Sequence, residues 1–302
     1  MRAVPRPYQS DRDVLKLVDL VSVVNAAGQH HWHVGDVWWG MYQNTVFDPR
    51  EHIRLWEGDA DELLGFGWFF PPCELGWVVH PRLWTTSFLD TQILAWGERH
   101  RRERFAADDP ERFLLTTTLA DDLPRIALLE AHGFTRDTLH MLHLQQTLDH
   151  ALPVPQLPAG WTVRPVGGED EWAERVVTHR EVWHPSRVTL EAYRRLRQTP
   201  GYIPELDLVA VAPDGAFGAY CICWLDPVNQ SGEFEPVGTR PAYRGRGLGK
   251  AVVLEGLRRL QQRGARTAVV YAVYNNQAAA KLYQSAGFQV TNQHVYFRKQ
   301  LA

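Results

Sequence analysis

Two carboxylates, Glu233 and Glu235, stand at alternate positions on an apolar segment that leads into a basic, glycine-rich stretch, Arg244-Gly245-Arg246-Gly247-Leu248-Gly249-Lys250. Alternate positions of a strand point to one face. Neighbouring acids raise each other's pKa toward the range of a general base; the plainer reading, two solvated charges on an edge strand, stands beside it. Three glycines at alternate positions let the backbone turn tightly and aim several N–H groups one way, which is how a chain cradles phosphate. A helix predicted from about Lys250 to Gln262 adds the positive end of its dipole. Arg244, Arg246 and Lys250 add three cations. The chemistry implied is a diphosphate seat.

Spacing decides which diphosphate. The loop G-x-x-x-x-G-K-[ST] would need glycine where Arg244 stands and a hydroxyl where Ala251 stands, and G-x-G-x-x-G would need glycine in place of Lys250. Both nucleotide loops fail on these residues. The pattern [RQ]-x-x-G-x-[GA], met at Arg244, Gly247 and Gly249, resembles the acetyl-coenzyme A signature of the GNAT acyltransferase superfamily. One helix and one strand later, Asn276-Gln277-Ala278-Ala279-Ala280-Lys281-Leu282-Tyr283-Gln284-Ser285-Ala286-Gly287-Phe288 resembles the superfamily's N-x-x-A-x-x-L-Y-x-x-x-G-F. Read physically, Asn276 caps a helix, Ala279 and Leu282 pack on the sheet, and Gly287 ends the helix in a left-handed cap.

The resemblance implies an acetyl-coenzyme A site and a division of labour. N–H groups of Arg244, Gly245, Arg246, Gly247, Leu248, Gly249 and Lys250 would hold the diphosphate. Val237, Gly238 and Thr239 would pair with the pantetheine arm where their strand parts from its neighbour, as Pro236 without an N–H and Gly238 suggest. Asn276, Ala279 and Tyr283 would line the other side. Glu233, which best matches the base position, or Glu235 would deprotonate an attacking amine, backbone N–H near Val237 or Gly238 would steady the oxyanion, and Tyr283 would protonate the leaving thiolate. A tyrosine merely packed beside the cofactor is the alternative for Tyr283.

The elements that must position these groups repeat along the chain. Pro153, Pro155 and Pro158 mark a semi-stiff linker, which divides the sequence into residues 1–148, 149–160 and 161–302. Arg6-Pro7 recurs as Arg164-Pro165, Val79-His80-Pro81 as Thr239-Arg240-Pro241, and Leu128-Leu129-Glu130-Ala131-His132-Gly133-Phe134 as Leu282-Tyr283-Gln284-Ser285-Ala286-Gly287-Phe288. Trp84-Thr85-Thr86-Ser87 replaces the glycine loop in the first copy, and Asp122 and Leu129 replace Asn276 and Tyr283. The first half therefore reads as a degenerate copy and the second as the working one. This arrangement is similar to that of mycothiol-synthase-type tandem acetyltransferases, which implies a mixed α/β fold duplicated along the chain. In the second half, strands are predicted at 162–166, 206–212, 219–226, 232–239 and 267–274, with 289–298 closing that half's sheet.

Composition excludes several classes. With 45% hydrophobic and 22% charged residues, the 302-residue chain is of globular type, and the halves carry −8 and +5, a surplus too small for a nucleic-acid footprint. No long apolar run and no basic leader are seen, so neither a membrane nor export is expected and the cytoplasm is the expected location. Cys73 stands alone; Cys221 and Cys223 read as reduced core thiols rather than half a zinc site. His30, His31, His33 and Asp36 suggest a pocket rim or plain surface before a metal site, and Trp38-Trp39, read as strand, cannot both face inward. Arg99 to Arg104 read as the solvated end of a helix. The function expected is acetyl transfer to a primary amine of a small molecule in a ternary complex, without metal. A non-catalytic acyl-CoA sensor or scaffold, and acetylation of a peptide or protein amine, are the alternatives, and monomer and dimer alike are compatible with the sequence.

Overall fold

A computed structural model describes residues 3–104 and 112–301. In chain order the first half runs β1 (Val4–Pro7), α1 (Asp11–Ala26), α2 (Val34–Tyr42), α3 (Pro49–His52), β2 (Ile53–Glu57), β3 (Leu63–Phe70), β4 (Glu74–Val79), α4 (Phe88–Arg102), β5 (Phe113–Leu119), α5 (Leu123–Ala131) and β6 (Thr135–Thr147). The second runs β7 (Thr162–Pro165), α6 (Glu169–Val182), α7 (Leu190–Arg197), β8 (Asp207–Val211), β9 (Phe217–Asp226), β10 (Ser231–Thr239), α8 (Leu248–Gln262), β11 (Thr267–Val273), α9 (Gln277–Ser285) and β12 (Gln289–Gln300). The short α3 apart, the order of helices and strands is the same in both halves. That is the repeat read from the dipeptides. No described helix is long and apolar enough to cross a membrane.

The chain forms two compact units, and these are not its contiguous halves. One takes the described residues of 1–32, 48–142 and 292–302; the other takes 33–47 and 143–291. Residues 33–47, which carry α2, thus pack with the second unit, although they lie well before the linker. The end of β12 is the converse case. Predicted to close the second half's sheet, it pairs antiparallel with β5 of the first unit from His294↔Leu119 to Gln300↔Phe113. Val295, Phe297 and Leu301 drive this placement, because all three are buried in a core with Trp56, Trp77 and Leu114.

Within the first unit the strand order is β1-β2-β3-β4-β5-β12, and within the second it is β6-β11-β10-β9-β8-β7. β4 with β5 and β10 with β11 are the parallel pairs, and the hairpins around them are antiparallel. Helix α8 places Val252, Val253, Leu257 and Leu260 on one buried stripe against β9 and β10. This stripe fixes where the helix begins, and so where its N-terminus points.

Candidate active site

The glycine-rich loop is built as its sequence implies. Gly245 and Gly247 have φ of +78° and +79°, and a Cβ at either would meet nothing within 4 Å. L-residues strain in this region and the space in front of both is open, which suits close approach of a ligand. Gly247 caps α8, whose first N–H groups, those of Leu248, Gly249 and Lys250, have no carbonyl one turn back to accept them. Arg240 is held by Glu174 at 2.6 Å and Glu181 at 2.5 Å. Arg244, Arg246 and Lys250, by contrast, pair with no carboxylate among the described residues; Arg244 Nε donates only to the Thr239 carbonyl at 3.3 Å. Free donors and free cations at one helix start fit a diphosphate.

Strand β10, which feeds this loop, opens in its middle. Its register with β11 covers only Ser231, Gly232 and Glu233, and its register with β9 shifts between Phe234 and Val237. Val237, Gly238 and Thr239 keep their β9 partners Cys221, Tyr220 and Ala219. Their β11 side has no strand partner in that register. Such a gap beside the loop accommodates an extended amide-bearing arm.

Next to the opening lie three carboxyl groups, one of them from α2. His33 caps that helix: its Nδ1 accepts the Gly35 N–H at 3.1 Å, and Asp36 accepts the His33 N–H at 2.7 Å. The ring proton therefore belongs on Nε2, which faces Ser231 Oγ at 3.1 Å. His33 Nδ1 also lies 3.2 Å from Glu233 Oε2. A proton in that contact must come from the carboxyl. Burial raises the pKa of Glu233 and of Asp36 well above the carboxylate range; Glu235 adds to the rise at Glu233, and Glu233 to that at Asp36. Glu235 is pushed up to about 8 by burial and then by the charge of Asp36. A Cβ on Gly35 would lie 2.1 Å from Glu233 Oε2, so only glycine lets α2 come this close.

Glu233 and Glu235 are not equivalent. Glu233 is fully buried, with 0% of its surface exposed. Glu235, half-buried, lines a cavity of about 340 Å3 with Trp39, Trp183, His179, Pro236 and Arg187. His179 is neutral there, its pKa lowered to about 3 by burial and by Arg175, and it meets the Tyr220 hydroxyl at 2.7 Å. Trp38 and Trp39, read as strand, lie instead on α2 and are both buried. The His33–Asp36 capping box starts a helix there, and a helical turn accommodates what a strand could not.

Helix α9 closes the site. The Asn276 side chain accepts the Ala279 N–H at 3.1 Å, and Gly287, at φ +107°, ends the helix. Leu282 and Ala279 are only half-buried; Tyr283 is the buried residue of this helix and packs edge-on against Phe288 at 6.0 Å. Burial, Glu235 and Cys221 raise its phenol above the usual value, so it stays protonated. In the first copy Asp122 caps α5 through the Arg125 N–H, and Leu129 is fully buried.

A model of the acetyltransferase (GNAT) family matches residues 170–288. A mycothiol acetyltransferase of Thermobispora bispora is 31% identical over 255 residues, which cover 80% of this chain and 81% of that protein. The chain belongs to the GNAT acetyltransferase family. The match to the mycothiol acetyltransferase of Kineococcus radiotolerans is 36% identical but spans 55% of this chain and 56% of the relative, and several other relatives are likewise matched over little more than half their length. Among solved structures, a GCN5-related N-acetyltransferase from Sphaerobacter thermophilus aligns with TM-score 0.66 at 23% identity over 99% of this chain and 96% of that one. A tandem GNAT protein from the clavulanic acid biosynthesis pathway aligns with TM-score 0.69 at 16% identity over 100% and 99%. These two share the GNAT fold.

His33 and Asp36, read from the sequence as a pocket rim or plain surface, and Gly35, which drew no reading, stand against Glu233. They lie some two hundred positions from Glu233, and no spacing rule links a helix cap in one copy to a strand in the other. The nearby His31, read together with them, belongs to the first unit and contacts Asp122 at 2.8 Å. The cysteines are free, with Cys221 and Cys223 sulfurs 4.0 Å apart in the core.

Proposed function

We propose that the second unit transfers an acetyl group from acetyl-coenzyme A to a primary amine of a small molecule, by direct attack within a ternary complex. The observation that carries this reading is Glu235. It opens onto the cavity, sits on the strand that leads into the phosphate-type loop, and has a pKa of about 8.

The loop from Arg244 to Lys250 would hold the diphosphate by N–H groups and cations, and the open side of Val237, Gly238 and Thr239 would pair with the pantetheine amides. An ammonium in the cavity gives its proton to Glu235. The neutral nitrogen attacks the thioester carbonyl, whose oxygen is met by a backbone N–H near Val237 or Gly238. The C–S bond then breaks, Tyr283 gives its proton to the departing thiolate, and the second proton lost by the acylated nitrogen restores the phenol. Glu233 is a positioning residue in this scheme, because it is sealed from the cavity and held against His33 and Asp36. Asn276 and Ala279 shape the near wall through their cap. The first half, without the arginine, the glycines or the tyrosine, supports the second by lending it α2.

The relatives' name makes an acceptor of the mycothiol type the first to test. A sensor needs the loop but has no use for three carboxyl groups gathered beside it, and that favours catalysis. Calorimetric titration of acetyl-coenzyme A is expected to show one site, abolished in Arg244→Glu, and release of free thiol should follow on adding the amine. Undiminished binding by Arg244→Glu would refute the assignment of the seat, and binding without turnover of any amine would leave the sensor.

A further inference from the structure

At the opposite end of α4 from Ser87, the first unit holds a second cationic site. Arg50 from α3, Arg54 from β2, Arg99 from the last turn of α4 and Arg104 from the turn after it line a cleft of about 570 Å3. That is the size of a small-molecule site. None of the four makes an ion pair among the described residues, and the side chain of Arg104 donates only to the His100 carbonyl, at 3.4 Å. Glu51 and Glu103 also line the cleft, so four guanidiniums face two carboxylates. Glu51 lies 4.0 Å from His52 and is otherwise exposed.

The dipole at the C-terminus of α4 accounts for Arg99 and Arg104. It does not account for Arg50 and Arg54, which reach the same cleft from other elements. Arg54 is half-buried, and its pKa is lowered by burial and by the charge of Arg99. Two like charges are thus held near one another, and Glu103 offsets them only in part. His100, buried beside them and 3.3 Å from His52, has its pKa lowered to about 4 by burial, Arg104, His52 and Arg54, so it adds no charge. Trp56 and Trp96, edge to face at 6.0 Å, form a firm floor. Guanidiniums arriving from two directions suit a tetrahedral group with three acceptor oxygens better than a flat carboxylate, which one arginine can saturate.

We propose that this cleft binds a small-molecule polyanion through a phosphate or diphosphate group, bridged between Arg50 and Arg54 on one side and Arg99 and Arg104 on the other. It is a separate site from the seat in the second unit, so the test is made where that seat is disabled. Inorganic pyrophosphate titrated into Arg244→Glu protein should bind at one site. Adding Arg54→Gln and Arg99→Gln should weaken it by at least about tenfold, with the unfolding midpoint unchanged. Should that pair disturb folding, the exposed pair Arg50→Gln and Arg104→Gln should give the same loss. Failure to bind at about 1 mM would overturn the proposal. So would equal weakening by Arg102→Gln, whose partner is Glu98 and which does not line the cleft, because that would mean diffuse attraction only.

Discussion

Glu235 has an acid constant suited to its task first because it is held away from water and then because Asp36 stands near it. Burial alone would raise any carboxyl, but the second contribution is the charge of Asp36. Below its pKa of about 8 Glu235 is protonated and cannot take a proton, so the acyl transfer rate should rise with pH up to that region and then level. Glu235→Gln should lower kcat by about 10²- to 10⁴-fold and remove that rise, as a pH–rate profile would show. A profile unchanged in shape would remove Glu235 from the base role. Stability follows the same groups with the opposite sign. The folded carboxyls keep protons that an unfolded chain releases near pH 4.3, so stability should decline as pH rises from there through about 8.

At the scale of elements, the loops before α4 and α8 share a left-handed residue at the helix start but not its type. Gly247 caps α8 at φ +79°, and Ser87 caps α4 at φ +49°. A left-handed conformation costs an L-residue about 1–2 kcal/mol, and glycine none, though glycine has more freedom to lose on folding. Ser87→Gly should therefore stabilise the first unit by up to about 1 kcal/mol, read from denaturant midpoints; destabilisation would mean the serine side chain repays its strain. The glycine loop, the Asn276 cap, the Gly287 terminator and most strands of the second half were legible in the sequence, because each is a local preference. Helix α2 was not. Trp38-Trp39 carried no period long enough to separate helix from strand, and the Gly35 contact that matters is with a strand in the other half. Arg99 to Arg104 were legible only in part: Arg101 and His100 are buried, and Arg101 bonds the Phe113 carbonyl.

For the whole molecule, the division at the linker predicts fragments that the structure does not favour. A chain ending at Thr291 keeps every catalytic and cofactor residue proposed above, yet it deprives the first unit of Val295, Phe297 and Leu301 and bares the edge of β5. Burial of three large apolar side chains is worth roughly 5–9 kcal/mol, comparable to the stability of a domain. Limited proteolysis should therefore digest residues 48–142 of the shortened chain and spare residues 143–291. Equal protection of both would show that the terminal strand is dispensable.

The same interleaving bears on how such a chain can change over generations. Each copy has lodged a piece of itself in the other's core, residues 33–47 in one direction and 292–302 in the other. A deletion that discards the first copy also discards the helix behind the base, and one that discards the second removes the closing strand of the first. The two copies are inherited as one object, and the first persists on that ground whether or not it keeps any chemistry of its own.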